Sequence, residues 1–517
     1  MREKGGRLME KRQIVIVDNG SQYTGLIARR CREQHARPEI IKPLHLVECI
    51  RTNPPRCVIL SGSYASVHVA VIPPLPHELV MSGIPVLGIC FGFHQIAEHF
   101  RSPVRSLNAI AQYGPATFTR RGEDFLFSNL PKTFTVWMSH GDSVTDVYEP
   151  EMIVLGYADG VIAAAKVAHL PWWALQFHPE VEHTEYGAQI FANFLHFCKI
   201  APDWDTERTL IEIKREAKQL AQTHERVGMA YSGGVDSSVA AAILKSVGCD
   251  ILLITVDGGN LREGELKIIE ERAALLKCEH VVIEKSSRFF TALRNCLDGK
   301  QKRRVFRQIY WETLDATMRR LNLKILAQGT IYSDVTEAAG TGGDLINIHH
   351  NIPESAAMPS PAPYKLYEPL RTLYKDEVRE IGRALGLPDS ITESEPFPGP
   401  GFFVRIIGDK RVTKKNIAVL RWADARVRGI LRETGKEYAQ VVVALGPDLA
   451  GVQGDHQYTG HSIIVRVVKT NTFMTAEGVY LEEPIFRDIE KALVGTHDIA
   501  GIFLYPAHKP PGRIEFQ

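Results

Sequence analysis

The apolar run Val227-Gly-Met-Ala-Tyr231 stops at Ser232-Gly-Gly-Val-Asp-Ser-Ser238, and a second apolar stretch, Val239-Ala-Ala-Ala-Ile-Leu244, follows at once. This order predicts a buried strand over 227–231, a tight loop over 232–238 and then a helix. The two adjacent glycines let the backbone turn with its N–H groups inward, three serine hydroxyls stand among them, and the helix N-terminus adds positive potential. Such a nest suits an anion, above all phosphate or pyrophosphate. Ser232, Gly233, Gly234, Val235, Asp236, Ser237 and Ser238 are the candidate binding residues. A carboxylate repels a bare phosphate, so Asp236 is read as the holder of a Mg2+ that neutralises one. The lysine of a Walker-type loop is missing, which excludes an ordinary P-loop. A glycine turn without a ligand is the plain alternative, and the full heptapeptide outweighs it.

A chain of 517 residues is too long for one core and implies about three domains. With 44% hydrophobic and 23% charged residues it has a soluble globular composition. A net charge of +1 gives no electrostatic reason for a nucleic-acid or anionic-membrane partner. No apolar run reaches the roughly 18 residues of a membrane span. Residues 1–11 are basic and polar without an apolar core, and read as a disordered leader rather than a secretion signal. The eight cysteines are scattered, without Cys-x-x-Cys pairs or metal-ligand spacing, and a cytoplasmic protein with reduced thiols is expected.

Residues 12–200 read as the first domain. Gln13-Ile-Val-Ile-Val-Asp18, Val58-Ile-Leu60 and Val86-Leu-Gly-Ile89 are short continuous apolar runs, typical of central parallel strands, and Tyr23 to Gln34 reads as a helix. Strands alternating with helices imply a doubly wound α/β sheet. Gly88-Ile-Cys-Phe-Gly92 then has nucleophile-elbow spacing with Cys90 in place of serine. Glycines on either side are expected to relieve the crowding of a strained turn, and the following helix N-terminus favours the thiolate that attacks. For most of the other cysteines a buried small hydrophobe is the better reading. Ala174-Leu-Gln-Phe-His-Pro-Glu180 supplies a base, His178, and an orienter, Glu180, on one face of an extended segment.

The elbow and the Gln-Phe-His-Pro-Glu segment together resemble the triad-type glutamine amidotransferases over the whole of this domain. The resemblance implies that Cys90 attacks the side-chain amide of glutamine and that ammonia leaves. It implies an oxyanion loop at Gly62 and Phe91. That family carries Ser-Gly-Gly-Pro where this chain has Ser61-Gly-Ser-Tyr64. A side chain in place of the second glycine is expected to make glutamine hydrolysis weak or conditional.

Residues 205–393 read as a second domain around the opening loop, which resembles the pyrophosphate loop of the N-type ATP pyrophosphatases. That resemblance implies ATP cleaved between its α and β phosphates and an oxygen adenylated. Ile251-Leu-Leu-Ile-Thr-Val-Asp257, Val281-Val-Ile-Glu284 and Lys324-Ile-Leu-Ala-Gln-Gly329 continue a parallel pattern. Val256, Asp257 and Gln328 at their ends are expected beside adenine and ribose. Gln301-Lys-Arg-Arg304 opens a helix and reads either as a solvated basic face or as phosphate contacts.

Residues 394–517 read as a third, α+β domain: Tyr438-Ala-Gln-Val-Val-Val443 and Ser462-Ile-Ile-Val-Arg-Val-Val468 suggest an antiparallel sheet with helices on one face. Glu368-Pro-Leu-Arg-Thr-Leu-Tyr-Lys-Asp-Glu-Val-Arg379, Pro396-Phe-Pro-Gly-Pro-Gly401, Gly451-Val-Gln-Gly-Asp455 and Lys509-Pro-Pro-Gly-Arg-Ile-Glu515 resemble the GMP synthase family. The resemblance implies a homodimer formed through this domain. It also implies a purine-nucleotide site including Arg303, Gln453, Lys509, Ile514 and Glu515, and amination of xanthosine 5′-monophosphate with glutamine and ATP as co-substrates. The chain departs from the family at Ile352-Pro-Glu-Ser-Ala-Ala-Met-Pro359, in its lid, and at His456-Gln457. Two alternatives stand at this point: a paralogue aminating another purine nucleotide, and a catalytically impaired regulatory protein.

Overall fold

The computed structural model describes residues 13–63, 73–106, 112–332, 334, 364–453, 455–470, 476–509 and 514–516. The expected leader, Tyr64, the lid stretch 352–359 and the Gln453 side chain lie outside what is described. The chain divides between Asp205 and Thr206 into two units.

In the first unit, short aliphatic runs form β1 (Ile14–Val17), β2 (Pro38–Ile41), β3 (Cys57–Leu60) and β4 (Val86–Ile89). The next strands are β5 (Val104–Ser106), β6 (Gln112–Arg120), β7 (Thr133–His140), β8 (Asp142–Val144), β9 (Met152–Ala158) and β10 (Val161–Val167). The last is β11 (Trp172–Leu175). Nine of them make one sheet in the order β2-β1-β3-β4-β11-β10-β9-β6-β7, while β5 pairs with β8. From β2 to β11 the pairing is parallel. Successive residues of β1 serve opposite cores: Ile14 and Ile16 pack with Ile59, Ile89 and Leu175, whereas Val15 and Val17 pack with Leu60, Val86 and Trp172. Helices cover both faces of such a strand, which is why its sequence is apolar without alternation. From β10 outward the pairing turns antiparallel. The sequence reading had not resolved this wing, in which β6 alternates exposed residues with buried or half-buried ones, as strands of one-faced sheets do.

The second unit opens with an all-parallel sheet of β12 (Val227–Ala230), β13 (Ile251–Asp257), β14 (Glu279–Glu284), β15 (Ile325–Ala327) and β16 (Lys365–Tyr367). Its order is β14-β13-β12-β15-β16. The chain runs outward from β12 on one side, then returns to β15 on the other. Strand order therefore reverses at β12, and ligand crevices of open α/β sheets lie beyond the carboxyl ends at such a switch.

The same unit continues into β17 (Gln440–Gln453), β18 (His456–Lys469), β19 (Glu477–Gly478) and β20 (Ile499–Leu504). The pairs β17–β18 and β18–β19 are antiparallel as expected, whereas β20 joins β18 in parallel. Leu420 and Val427 of the helix Lys414–Glu433 and Ile489 of the helix Glu483–Leu493 pack with Val441, Val443, Ile463 and Val465. Val442 and Val468 pack instead with Ala476 and Ile514. No helix among the described residues is long and apolar enough to cross a membrane.

Candidate active sites

Cys90 sits between β4 and the helix Phe91–His99 with φ 53° and ψ −103°, a conformation a side-chain-bearing residue seldom adopts. Its N–H donates to the Leu175 carbonyl at 2.7 Å, and its own carbonyl accepts from the Phe93 and His94 N–H groups at 3.0 and 3.2 Å. These bonds hold the strained turn in place. The flanking glycines relieve crowding as expected, while the unusual backbone angles fall on Cys90 itself and neither glycine has a positive φ. A Cβ on Gly88 would lie 2.7 Å from the Gly92 carbonyl, and one on Gly92 would lie 2.4 Å from the Leu60 oxygen. The glycines allow helix and strands to touch. Gly92→Ala is expected to cost about 1–3 kcal/mol by overpacking, read as a lower Tm. A variant as stable as the parent would contradict this.

His178 and Glu180 lie in the turn that follows β11, not on the strand itself. The His178 N–H donates to the Trp137 carbonyl at 3.0 Å, and Thr184 Oγ1 donates to the His178 carbonyl at 2.7 Å. Both residues are buried, with His178 Nδ1 2.7 Å from Glu180 Oε1. Burial disfavours the imidazolium, yet the Glu180 carboxylate and the hydrogen bond and charge of Cys90 outweigh it and raise the His178 pKa to about 10. Glu180, His178 and Cys90 thus form one electrostatically linked line. Gly62 faces it: a Cβ there would stand 3.4 Å from His178 Cε1 and 3.6 Å from Cys90 Cβ. The Gly62 carbonyl accepts from Ser61 Oγ at 3.0 Å. Phe91 is the first helical residue, so its N–H has no partner within the helix.

Sequence reasoning missed the polar residues packed around this line. The Tyr23 ring meets His178 edge-on at 5.0 Å between centroids, and burial followed by the Glu180 charge raises the phenol to about 12. His94 Nε2 and Gln176 Oε1 lie 3.0 Å apart, both buried. His140 is pushed down to about 4 by burial and then by His94. The available signal was His94 itself, one helical turn beyond Cys90 on an otherwise apolar helix start.

In the second unit the helix begins at Val235 with Gly234 as its N-cap, so the loop is shorter than expected and Ser237 and Ser238 belong to the first helical turn. Gly233 has φ +72°. Ser232 Oγ accepts from the Gly234 N–H at 3.3 Å and lies 3.2 Å from Ser237 Oγ, while Ser238 Oγ is 3.3 Å from Tyr231 Oη. The ends of β12, β13 and β15 are adjacent in register, which gathers the loop, Val256, Asp257 and Gln328 at the switch point. Gln328 is buried, and its Nε2 has no hydrogen-bond partner among the described residues. A Cβ on Gly329 would lie 2.7 Å from Ser237 N, so β15 runs on directly against the helix start. Asp257 Oδ1 is occupied by the Gly259 N–H at 2.8 Å.

Asp236 Oδ2 pairs with Lys375 Nζ at 2.6 Å, a partner the sequence reading did not select, and Asp236 Oδ1 is buried without a hydrogen-bond partner among the described residues. Burial raises the carboxyl above its usual range against the pull of Lys375. Among the described residues no group of three or more His, Cys, Asp or Glu could hold a metal ion. Asp236 fits Mg2+ as a carboxylate ligand in the arrangement in which substrate phosphates and water complete the shell.

The remaining candidates fall further along this unit. Lys302 and Arg303 are buried on the helix Gly299–Arg320, which rules out a solvated basic face for these two; Lys302 Nζ donates to the Ile406 carbonyl, and burial lowers its pKa to about 8. Gln453 ends β17, and Lys509 pairs with Ala476 through backbone hydrogen bonds at 2.8 and 3.0 Å. Ile514 is buried, and the neighbouring Glu515 is gripped by fully buried Arg405, at 3.1 Å from Nε and 2.8 Å from Nη2. The carboxylate expected at the nucleotide thus also docks its own tail.

Residues 15–198 match the family model of class-I glutamine amidotransferases, and residues 431–516 match that of the GMP synthase C-terminal domain. The glutamine-hydrolyzing GMP synthase of Thermobifida fusca is 36% identical over 98% of this chain and 98% of its own length. That of Thermomicrobium roseum is 38% identical over 98% of this chain and 96% of its own. That of a Thermus thermophilus strain is 37% identical over 98% of this chain and all of its own length, 100%. At such identity over nearly the whole length, with an elbow cysteine in one unit and a seryl-glycyl loop at the switch point of the other, the chain belongs to the glutamine-hydrolysing GMP synthase family.

Proposed function

We propose that this chain uses glutamine and ATP to aminate xanthosine 5′-monophosphate to GMP, releasing glutamate, AMP and pyrophosphate. The observation that carries the reading is that one polypeptide holds both an elbow cysteine with a buried histidine–carboxylate pair and a loop suited to phosphate. In the first unit, the Cys90 thiolate attacks the side-chain carbonyl carbon of glutamine. The N–H groups near Gly62 and Phe91 face the developing oxyanion. His178, kept protonated beside Glu180, gives its proton to the leaving ammonia, and water then hydrolyses the thioester.

In the second unit, the 2-oxygen of the nucleotide attacks the α-phosphorus of ATP, and pyrophosphate leaves from the residue 232–238 segment. Ser232, Gly233, Gly234, Val235, Ser237 and Ser238 surround the β and γ phosphates, while Val256 and Gln328 flank the adenosine. Mg2+ beside Asp236 would neutralise phosphate charge. Ammonia replaces the adenylated oxygen, and AMP departs. Adenylation is what turns a poor oxygen leaving group into a good one. Arg303, Gln453, Lys509, Ile514 and Glu515 are the proposed nucleotide contacts: a lysine suits a 5′-phosphate, and glutamine and carboxylate side chains suit ring and ribose groups.

The family resemblance also supports a homodimer through residues 394–517 and a cytoplasmic setting. The test is pyrophosphate release with ATP, glutamine and Mg2+, comparing xanthosine 5′-monophosphate with inosine and adenosine monophosphates. Turnover with xanthosine 5′-monophosphate alone is expected. Preference for another purine nucleotide would overturn the substrate assignment, and no turnover with any would overturn the reaction.

A further inference from the structure

The pyrophosphate loop lies on the helix Glu265–Leu275, and two residues of that helix meet Gly233. Ile269 is beneath it: a Cβ on Gly233 would lie 2.7 Å from Ile269 Cγ1 and 3.2 Å from Ile269 Cα. One turn further on, Arg272 Nη1 donates to the Gly233 carbonyl at 2.6 Å. Its other terminal nitrogen, Nη2, donates to the Ser390 carbonyl in the short helix Asp389–Thr392. One half-buried guanidinium therefore joins three segments: its own helix, the loop and residues 389–392.

We infer that Arg272 is a positioning residue for ATP, setting the peptide plane between Gly233 and Gly234 so that the loop's N–H groups are aimed before the phosphates arrive. The inference rests on the phosphate reading of this loop. Its physical basis is the planar trans peptide, in which C=O and N–H point to opposite sides. Gly233, at φ +72°, has no Cβ to fix that plane sterically, so its orientation needs an external tether. Drawing the carbonyl toward the helix sends the Gly234 N–H away from it, into the loop, where Ser232 Oγ accepts it at 3.3 Å. A guanidinium suits this task because its rigid fork reaches two carbonyls at once, whereas an ammonium is a point donor. Arg272 touches no phosphate in this account; it acts through the backbone.

The test is ammonia-dependent GMP synthesis by the full chain carrying Arg272→Met, which keeps the apolar stem and removes the fork. KM for ATP is expected to rise roughly tenfold, as for one lost charge-assisted hydrogen bond. The inhibition constant for pyrophosphate should rise in parallel, while KM for the purine nucleotide stays within about twofold of the parent. A parent-like KM for ATP, or an equal rise in both KM values, overturns the inference. If Arg272→Met does not fold, Arg272→Lys decides: it holds one carbonyl at most and should raise KM for ATP by a smaller factor, so a parent-like value overturns the proposal. Ser237→Ala is the control on the underlying reading. If it weakens ATP binding and Arg272→Met does not, the inference alone fails; if neither does, the loop is not the phosphate site.

Discussion

Cys90→Ala is expected to lower glutamine-dependent amination at least roughly a thousandfold while leaving ammonia-dependent amination near the parent rate. The carboxamide of glutamine is a poor acceptor, and without a thiolate no covalent intermediate splits its hydrolysis into two easier steps. His178 and Glu180, 2.7 Å apart in the parent, are expected to stay paired in the variant, but they have no nucleophile to serve. The buried site tolerates the change, since alanine fits wherever cysteine did, though the backbone strain at φ 53° stays. The measurement is AMP release with either nitrogen source. Glutamine-supported turnover that survives the substitution would remove Cys90 from the reaction.

Gly233→Ala is expected to abolish both activities together, with kcat/KM for ATP down at least about a hundredfold whichever nitrogen source is offered. Two costs combine at this residue. An alanine at φ +72° pays roughly 1–2 kcal/mol for the left-handed conformation. Its Cβ, 2.7 Å from Ile269 Cγ1, also forces the loop off the helix. Either response reorients the peptide that Arg272 holds and spoils the phosphate nest. Glutamine hydrolysis at Cys90 should persist, because that chemistry belongs to the other unit. Retained ATP use in this variant would mean that the loop conformation is not what binds pyrophosphate. The two substitutions dissect the reaction: one removes a nitrogen source, the other the acceptor's activation.

Much of the candidate chemistry was legible before any fold was known, because it is written in residues close together in the chain. Gly-x-Cys-x-Gly, His-x-Glu and Ser-Gly-Gly-Val-Asp-Ser-Ser each place reactive groups within a few bonds of one another. Even so, local reading mistook mechanism in places. His178 and Glu180 meet across a turn, not along a strand. Lys302 and Arg303 looked as ready for solvent as for phosphate, since a charge pattern does not reveal which helix face another element will cover.

What the amino-acid order determined by itself was the set of candidate reacting groups and the parallel strands that carry them, through apolar runs, turn residues and short spacings. What only the tertiary structure decided was pairing at a distance: Lys375 with Asp236 across 139 residues, Arg405 with Glu515 across 110, and Arg272 with Gly233 across 39. Each is an electrostatic or hydrogen-bonding contact whose geometry exists only after strands and helices have packed. Hydrophobic periodicity dictates that packing, but it carries no information about which charged side chains will come to lie side by side.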